Sequence, residues 1–252
     1  MLQIKNTDNT GGYLMSLQGK RVVVVGGTSG IGLATAKAFL DESAQVVVAS
    51  RSSSKFDEAK KLLGQDVEGY ELDFRNDESV ANFFKNVGNF DHLVVTAGEG
   101  TMGLFKELPV ERAKEAFDSK FWGQYATALA ALPYLNDASS ITLTSGVYGQ
   151  RPPQGASTLA AINSAVDGLV RGLAVELSPM RVNVVSPGIV NTPIYAGMPE
   201  DQREGMFTGI AEQLPVKRIA QPEDIAQSYV YLAKNGFTTG SVVDIDGGAR
   251  LI

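Results

Sequence analysis

Cysteine is absent from the chain, and histidine occurs only once among its 252 residues. Without thiols the protein forms no disulfide and no cysteine-ligated metal site, and it suits a reducing compartment such as the cytoplasm. The one imidazole, His92, stands at the start of an apolar run, where we interpret it as a residue of a helix-to-strand junction. We therefore predict a cytoplasmic protein without a metal site.

Basic residues and long apolar runs are also scarce. The chain has 22 lysines and arginines against 28 aspartates and glutamates, a formal net charge of −6. Such a chain has no basic stripe with which to displace counterions from nucleic-acid phosphates. No apolar run approaches the roughly 18 residues that indicate a membrane span. We therefore predict neither a nucleic-acid partner nor a membrane partner.

The beginning of the chain carries little pattern of any kind. Residues 1–12 are polar and lack the basic start and the apolar stretch of a signal peptide. A natural start follows at Met15, so we predict that residues 1–14 are a disordered extension or a cloning remnant. The remaining residues, 15–252, are long enough for one large domain, which would bury about 70–75% of its unfolded surface.

What the chain does have is a regular alternation of short β-branched runs with longer helical stretches. Strands are predicted at 22–25, 45–49, 67–72, 92–96, 140–144, 181–185 and 241–245. Helices are predicted at 31–42, 55–63, 77–86, 110–131, 157–177, 200–212 and 222–234. Strands that alternate with helices form a parallel sheet covered on both faces. The sequence therefore predicts one doubly wound, Rossmann-type α/β domain with seven parallel strands flanked by helices.

A glycine-rich turn follows the first predicted strand. The valines 22–25 are followed by Gly26, Gly30 and Gly32, and a helical pattern continues from Leu33. Backbone N–H groups at a helix N-terminus bind phosphate together with the helix dipole, and glycine permits close approach. The residues predicted to bind a dinucleotide pyrophosphate are Gly26, Thr28, Ser29, Gly30, Ile31 and Gly32.

The glycine spacing, G-x-x-x-G-x-G, resembles that of the short-chain dehydrogenase/reductase family, and the resemblance extends over roughly residues 17–250. It implies a nicotinamide dinucleotide cofactor, a small-molecule carbonyl or alcohol substrate, and hydride transfer between them. The helices at 110–131 and 157–177 carry extra small apolar residues, which suit close packing between subunits. Because family members usually assemble through these helices, we predict a homo-oligomer, either a dimer or a tetramer, although a wide face packed within one chain is the alternative.

The end of the second strand distinguishes between the two nicotinamide cofactors. A carboxylate there accepts a hydrogen bond from the ribose 2′-hydroxyl of NAD. This chain has Ser50, Arg51 and Ser52 instead. A guanidinium with neighbouring hydroxyl groups suits a dianionic 2′-phosphate, although a solvated basic loop is the alternative. We therefore predict that these three residues bind the 2′-phosphate and that NADP(H) is favoured over NAD(H).

Two segments resemble the adenine side of the family's cofactor site. After the third strand, the resemblance implies that Asp73 meets the adenine amino group and that Phe74 packs on the ring. Asp73 could instead cap the following turn. After the fourth strand, Ala97 and Gly98 are the small residues that let the backbone approach the cofactor. The pair of asparagines that the family has before them is absent.

A Pro-Gly segment follows the sixth strand. The resemblance implies that Pro187, Gly188, Ile189 and Thr192 hold the nicotinamide carboxamide. The next stretch, residues 193–215, is rich in methionine, proline, glycine and charge. Such a composition is typical of a mobile lid over a substrate.

The family's catalytic residues are only partly present. The family uses asparagine, serine, tyrosine and lysine, and the lysine lowers the pKa of the tyrosine that exchanges a proton with the substrate. Ser145 stands at the serine position, but Thr158 and Ile162 occupy the tyrosine and lysine positions, and Lys120 occupies the asparagine position. None of the eight tyrosines has a lysine four positions further on.

Two hypotheses fit this altered site. In the first, the protein is an oxidoreductase in which Ser145 polarises a carbonyl group, and either water or Tyr148, tuned by Lys120, supplies the proton. A loop tyrosine and an exposed lysine without catalytic roles are the alternative for that pair. In the second hypothesis the chain is a catalytically inactive NADP(H)-binding sensor or assembly protein. We favour the first because an ordered nicotinamide pocket serves hydride transfer.

Overall fold

The structure is a computed structural model that describes residues 14–51 and 53–252. The predicted phosphate-binding residue Ser52 and all but the last residue of the predicted extension therefore lie outside the described residues. The described chain joins the domain at Met15, whose N–H donates to the Lys234 carbonyl oxygen at 2.8 Å.

One parallel sheet organises the described residues. Its strands are β1 (Arg21–Val25), β2 (Gln45–Ser50), β3 (Glu68–Glu71), β4 (His92–Val95), β5 (Ser140–Thr144), β6 (Arg181–Pro187) and β7 (Val242–Ile245). Their order is β3-β2-β1-β4-β5-β6-β7, and every neighbouring pair is parallel. The predicted fold and all seven predicted strands are confirmed, and strand ends differ by one or two residues. The chain order reverses between β1 and β4, where open parallel sheets bind ligands at the carboxyl ends of the strands.

Helices cover both faces of the sheet. They are α1 (Gly30–Asp41), α2 (Ser53–Leu63), α3 (Asp77–Val87), α4 (Val110–Phe117), α5 (Gly123–Ala131), α6 (Ser157–Glu176), α7 (Glu200–Gln213) and α8 (Pro222–Lys234). The predicted helices are confirmed. The helix predicted at 110–131 is unbroken, and a π-helical turn within it joins α4 to α5.

A π-helical segment, Asp118–Trp122, separates α4 from α5. The Gly123 N–H donates to the Asp118 carbonyl oxygen, five residues back, so this turn holds one residue more than an α-helical turn. Gly123 packs closely on Phe74, where an added Cβ would lie 2.2 Å from the ring. The backbone stays helical through this turn, as predicted, and the π turn itself was not predicted. Such turns occur frequently at functional sites.

The core consists of two apolar layers, one on each face of the sheet. Alternate valines of β1 belong to different layers because successive strand side chains point to opposite faces. Val23 and Val25 pack in the layer with α3, α5 and α6, whereas Val22 and Val24 pack in the layer with α1 and α8. All four are at most 2% exposed, as expected for a parallel strand covered on both faces.

The longest helix, α6, carries polar residues on its buried face. Its length and composition alone would permit a membrane span, a property that core helices of folded domains share. Its buried residues are Ile162, Asn163, Val166, Asp167 and Val170, which pack towards the sheet. An amide and a carboxyl group within an apolar stripe require a specific explanation, because burial of such groups is unfavourable without partners.

The single histidine lies at the end of the sheet opposite the glycine turn. His92 is the first residue of β4 and is 4% exposed, which confirms its interpretation as a junction residue. Its Nδ1 lies 2.8 Å from the Ser140 hydroxyl oxygen. Burial lowers the pKa of His92 to about 4, so the imidazole is neutral at physiological pH.

Candidate active site

A cleft of about 400 Å³ opens at the carboxyl ends of the central strands. It combines segments that are up to about 170 residues apart in the chain, because parallel strands all end at the same edge of the sheet. The predicted site residues that line it are Gly26, Thr28, Ser29, Gly30, Ile31, Gly32, Ser50, Arg51, Phe74, Ala97, Gly98, Lys120, Ser145, Tyr148, Pro187, Gly188, Ile189 and Thr192. Both halves of the predicted site, for the cofactor and for the chemistry, therefore share one cleft.

The glycine turn is packed too tightly for side chains. A Cβ on Gly32 would lie 2.1 Å from the Gly26 carbonyl oxygen and 2.5 Å from Thr96 Oγ1. Gly26 itself has a φ of +87°, a conformation that favours glycine. Helix α1 begins immediately after Ser29, so its free N–H groups face the cleft. This close backbone cradle at a helix N-terminus fits a dinucleotide pyrophosphate.

Thr96 supports the glycine turn at a position where the resembled family has asparagine. Its backbone N–H and its hydroxyl group both donate to the Val25 carbonyl oxygen, at 2.9 Å and 3.0 Å. A threonine therefore fixes the ends of β1 and β4 together without the missing asparagine pair.

The segment after β6 crosses the cleft beside the start of α1. Gly188 lies so near the backbone of Asp246 that an added Cβ would be 2.9 Å from its Cα. A Cβ on Gly30 would meet Thr192 at 3.3 Å. The predicted nicotinamide-binding segment is thus held between the glycine turn and the end of β7.

Arg51 has a partner that sequence reasoning missed. Its guanidinium donates to a carboxylate oxygen of Glu99 at 2.7 Å, across the outer part of the cleft. Both side chains are exposed, with 47% and 66% of the side-chain surface accessible. The pair brings a negative charge to the position predicted for the cofactor 2′-phosphate.

Asp73 lies outside the lining of the cleft, in a depression next to it. Its carboxylate accepts the Arg75 N–H at 3.1 Å, and its own N–H donates to the Ser79 hydroxyl oxygen at 3.0 Å. The alternative interpretation, a cap for the following turn, is therefore what Asp73 does in this structure. Its adenine contact stays a prediction.

Ser145 occupies the position expected from the sequence, directly after β5. Its N–H donates to the Val185 carbonyl oxygen at 2.9 Å, and the residue is 3% exposed. The preceding residue, Thr144, exchanges two hydrogen bonds of 2.9 Å with the side-chain amide of Gln124, which fixes the end of the strand. By contrast, Thr158 and Ile162 do not line the cleft, and Ile162 is fully buried.

Lys120 reaches the site from the π-helical segment. Its ammonium donates to the Ser145 carbonyl oxygen at 3.0 Å. Although part of the side chain is accessible, the ammonium is enclosed by protein, and this desolvation lowers the pKa of Lys120 to about 8. The Asp167 carboxyl group opposes that shift.

Tyr148 lies on the same cleft, in the turn Val147–Gly149. Burial raises the pKa of its phenol, and no lowering by the Lys120 ammonium is found among the described residues. The structure therefore brings Tyr148 and Lys120 to one cleft without forming the tuned pair. Tyr148 instead neighbours Tyr195, whose ring packs edge-on against Phe207 of α7 at 5.3 Å.

Two further residues near the catalytic side were missed from the sequence. Asn163 is 1% exposed and lines the cleft from α6, and Asp167, one helical turn further, is 6% exposed. Their four-residue spacing within an apolar helical stripe was the available signal, since charged residues are rarely buried without a partner. Burial lowers the pKa of Lys120 and raises that of Asp167, and the attraction between the two groups opposes both shifts.

Comparison with known proteins bears on what this cleft does. The profile of the family described as Enoyl-(Acyl carrier protein) reductase matches residues 25–250. Short-chain dehydrogenase/reductase ATR9 of Stachybotrys chlorohalonatus is 32% identical over an alignment of 251 residues, which covers 94% of this chain and 99% of that protein. The chain belongs to the short-chain dehydrogenase/reductase family.

Solved structures of this family share the fold. One is a small-chain dehydrogenase in complex with NADPH, which is 36% identical with a TM-score of 0.79 over 93% of this chain and 100% of that one. Another is the MalC Reductase/Diels-Alderase from Malbranchea aurantiaca. It is 30% identical with a TM-score of 0.87, and the match covers 94% of this chain and 98% of that one. As a short-chain dehydrogenase/reductase, the chain is an oxidoreductase of the type that binds a nicotinamide cofactor.

Proposed function

We propose that this short-chain dehydrogenase/reductase transfers hydride between NADP(H) and a small carbonyl or alcohol compound. The observation that carries the proposal is the common cleft, in which the glycine turn, Arg51 and Ser145 lie along one edge of the sheet. A protein that only sensed the cofactor would have no need for a serine hydroxyl beyond the nicotinamide segment. The reduced cofactor, when bound, supplies the hydride.

The proposed preference for NADP(H) rests on the basic residues that follow β2. Arg51 lines the cleft there, and Lys55 of α2 lies on the same wall. Two basic side chains with no carboxylate at the end of β2 suit a 2′-phosphate better than a free 2′-hydroxyl group. The NADPH complex of a protein that is 36% identical supports this choice.

The catalytic half centres on Ser145 and Lys120. A substrate carbonyl oxygen would accept the Ser145 hydroxyl, and the positive charge of Lys120 would stabilise the negative charge that develops on that oxygen. A positive charge contributes most when it is enclosed, as this ammonium is.

The substrate would lie against an apolar and aromatic wall. Tyr148, Leu159, Ile194 and Tyr195 line the side of the cleft away from β2. Such a lining suits a compound with an apolar or aromatic body and one carbonyl group. The segment 193–215 would act as the lid over it.

A direct test measures NADPH oxidation with a panel of aldehydes, ketones and quinones, and cofactor binding by fluorescence in the same sample. We expect turnover that exceeds that of Ser145→Ala by at least about 100-fold. Tight NADPH binding without turnover on any compound would contradict the proposal and favour an inactive NADP(H)-binding sensor or assembly protein.

We also propose that the protein is a homo-oligomer, a dimer or tetramer. Trp122, Tyr125 and Leu129 are exposed by 52%, 40% and 58% along the π segment and α5, beside a groove of about 770 Å³. Exposed apolar faces of this kind mark association surfaces. Light scattering should report at least two chains per particle, and Trp122→Glu should lower that number. A monomer at micromolar concentration would contradict the assignment.

A further inference from the structure

Polar side chains meet between α6 and the carboxyl ends of β5, β6 and β7, behind the wall of the cleft. Ser186 of β6 pairs in register with Asp244 of β7. Both point to the α6 face, since the residues two positions before them belong to the apolar layer on that side. Asn163 and Asp167 approach from α6, and Ser145 approaches from the end of β5.

Several of these groups lack partners within the described chain. Ser145 Oγ, Asn163 Oδ1, Asp167 Oδ1 and Ser186 Oγ are all buried and make no well-aligned hydrogen bond. Burying such an atom without a partner carries a cost in stability. A sequence could remove this cost with apolar residues, so four unpaired atoms in one place indicate a role in function.

Asp167 and Ser145 adjoin each other within this cluster. Burial raises the pKa of Asp167. The nearby Ser145 hydroxyl group lowers it, as a hydrogen-bond donor to the carboxylate does. The two groups are not aligned as a hydrogen bond in this conformation, and rotation of the side chains would align them. The net effect is a raised pKa for Asp167, so its carboxyl group stays protonated to a higher pH than an ordinary aspartate does.

The charges that face Asp167 come from every element around it. Lys120 of the π segment and Arg171 of α6 favour its ionised form, whereas Asp244 of β7 disfavours it. Asp244 is itself paired with Arg250 and accepts a hydrogen bond from Gln150 at 2.7 Å. The carboxyl group can therefore hold a proton. Lys120 and Arg171 stabilise the carboxylate that forms when the proton leaves.

We propose that Asp167 is the proton source of the reaction, a positioning residue that acts on the substrate only through the Ser145 hydroxyl group. Ser145 lies both on the cleft and beside Asp167, and it carries a hydroxyl group that can pass on a proton. This assignment rests on the proposed carbonyl reduction and gives α6 the acid that the family places on a tyrosine. Thr158, at the tyrosine position, is about two and a half turns closer to the start of the helix than Asp167 is.

Hydride transfer and proton transfer together convert the carbonyl group into an alcohol. The carbonyl carbon accepts a hydride from the reduced nicotinamide, and the electron pair of the C=O π bond moves to oxygen. That oxygen takes the Ser145 hydroxyl proton, and Ser145 Oγ takes the proton of the Asp167 carboxyl group. Asp167 ends as a carboxylate opposite Lys120 and Arg171, the product is the alcohol, and solvent returns the proton after the alcohol leaves.

The first test is Asp167→Asn, which keeps the shape and the hydrogen-bond donor beside Ser145 but cannot release a proton. We expect kcat to fall about 100-fold or more while the NADPH dissociation constant stays within twofold. The wild-type kcat should fall as pH rises through the Asp167 pKa, because only the protonated acid serves reduction. The asparagine variant should lack this ionisation, and unchanged kcat or a parallel pH profile would overturn the proposal.

A second test measures whether Asp167 acts through Ser145. The double variant Asp167→Asn/Ser145→Ala should be no slower than Ser145→Ala alone, because the relay is already broken. Losses that multiply would overturn the relay. Asp137→Asn, an exposed aspartate in the turn before β5, is the matched control and should keep the wild-type rate and pH profile.

A third measurement needs no turnover and therefore separates this inference from the proposed function. The infrared carbonyl band of a protonated carboxyl group should persist in the wild-type protein to a pH above the usual aspartate range and be absent from Asp167→Asn. A protein that reduces carbonyls but lacks this band overturns the inference alone. A protein with the band but without carbonyl reduction contradicts the proposed function instead.

Discussion

The two halves of the cleft differ in how they are built. On the β2 side, the cofactor half consists of backbone: glycines at the end of β1, the N-terminus of α1, and a close Pro-Gly segment after β6. On the α6 side, the catalytic half consists of side chains from separate elements, such as Ser145, Lys120 and Asp167. From the sequence, the first half is predicted to keep the family's glycine turn and Pro-Gly segment, and the second to keep only the serine.

This difference has a physical cause. A pyrophosphate is bound by N–H groups and a helix dipole, which every sequence with the right glycines supplies. Proton transfer requires only a group of suitable pKa within hydrogen-bond reach of the reacting oxygen. Such a group can come from any neighbouring element, so the acid can move while the cofactor cradle cannot.

The largest effect should follow from breaking the cofactor cradle. In Gly32→Ala the added Cβ would lie 2.1 Å from the Gly26 carbonyl oxygen, so the turn must open. We expect at least about a 100-fold loss of NADPH affinity, measured by fluorescence titration. Gly172→Ala on α6, where nothing lies within 4 Å of the added Cβ, should bind NADPH normally. Normal binding by Gly32→Ala would mean that the cradle is not the cofactor site.

Lys120→Met should lower the catalytic rate and raise the stability of the fold. We expect kcat to fall about 100-fold through loss of the enclosed positive charge. At pH 7 the variant should nevertheless be more stable by roughly 1–3 kcal/mol, because folding no longer desolvates an ammonium whose pKa is about 8. That pKa lies below the unfolded value, so the gain is full below about pH 8 and fades as pH rises towards the unfolded pKa.

Chemical denaturation at several pH values, alongside steady-state rates, measures both effects. A variant that is less stable than the wild type at pH 7 would show that the ammonium stabilises the fold. An unchanged kcat would show that the Lys120 charge does not contribute to the reaction.

Arg51→Asp tests the choice of cofactor. We expect NADPH affinity to fall about 10- to 100-fold, because a charge-assisted contact with the 2′-phosphate is replaced by repulsion. NADH affinity should change by less than threefold. Equal losses for both cofactors would contradict the 2′-phosphate assignment.

Glu99→Gln should give the smallest effect, and in the opposite direction. Removal of the carboxylate that pairs with Arg51 at 2.7 Å frees the guanidinium for a phosphate. An exposed pair is worth about 0.2–1 kcal/mol, so NADPH should bind up to fivefold more tightly at low salt. The gain should shrink at high ionic strength and be absent for NADH. Weaker NADPH binding would mean that Glu99 positions Arg51.

The sequence predicts what depends on backbone pattern. Valine runs such as 22–25 and 46–48 indicate strands buried on both faces, and the glycine spacing after Val25 locates the phosphate cradle. Both follow from local chemistry, so the sheet and the cofactor half could be anticipated element by element.

The rest depends on contacts between distant residues. The π turn at Asp118–Trp122 inserts one residue and has no sequence pattern of its own, yet it directs Lys120 to Ser145. The environment of Asp167 depends on its neighbours at the ends of β5 and β7, and that of Glu99 depends on Arg51. Helical periodicity places Asp167 on a buried face but cannot name the strand residues that it meets.

The most direct test of this account compares Asp167→Asn with Tyr148→Phe under the same conditions, with the best substrate of the panel. If the acid has moved to α6, Asp167→Asn should lose about 100-fold in kcat and Tyr148→Phe less than tenfold. The reverse ranking would place the proton donor on the Tyr148 turn and contradict the relay through Ser145.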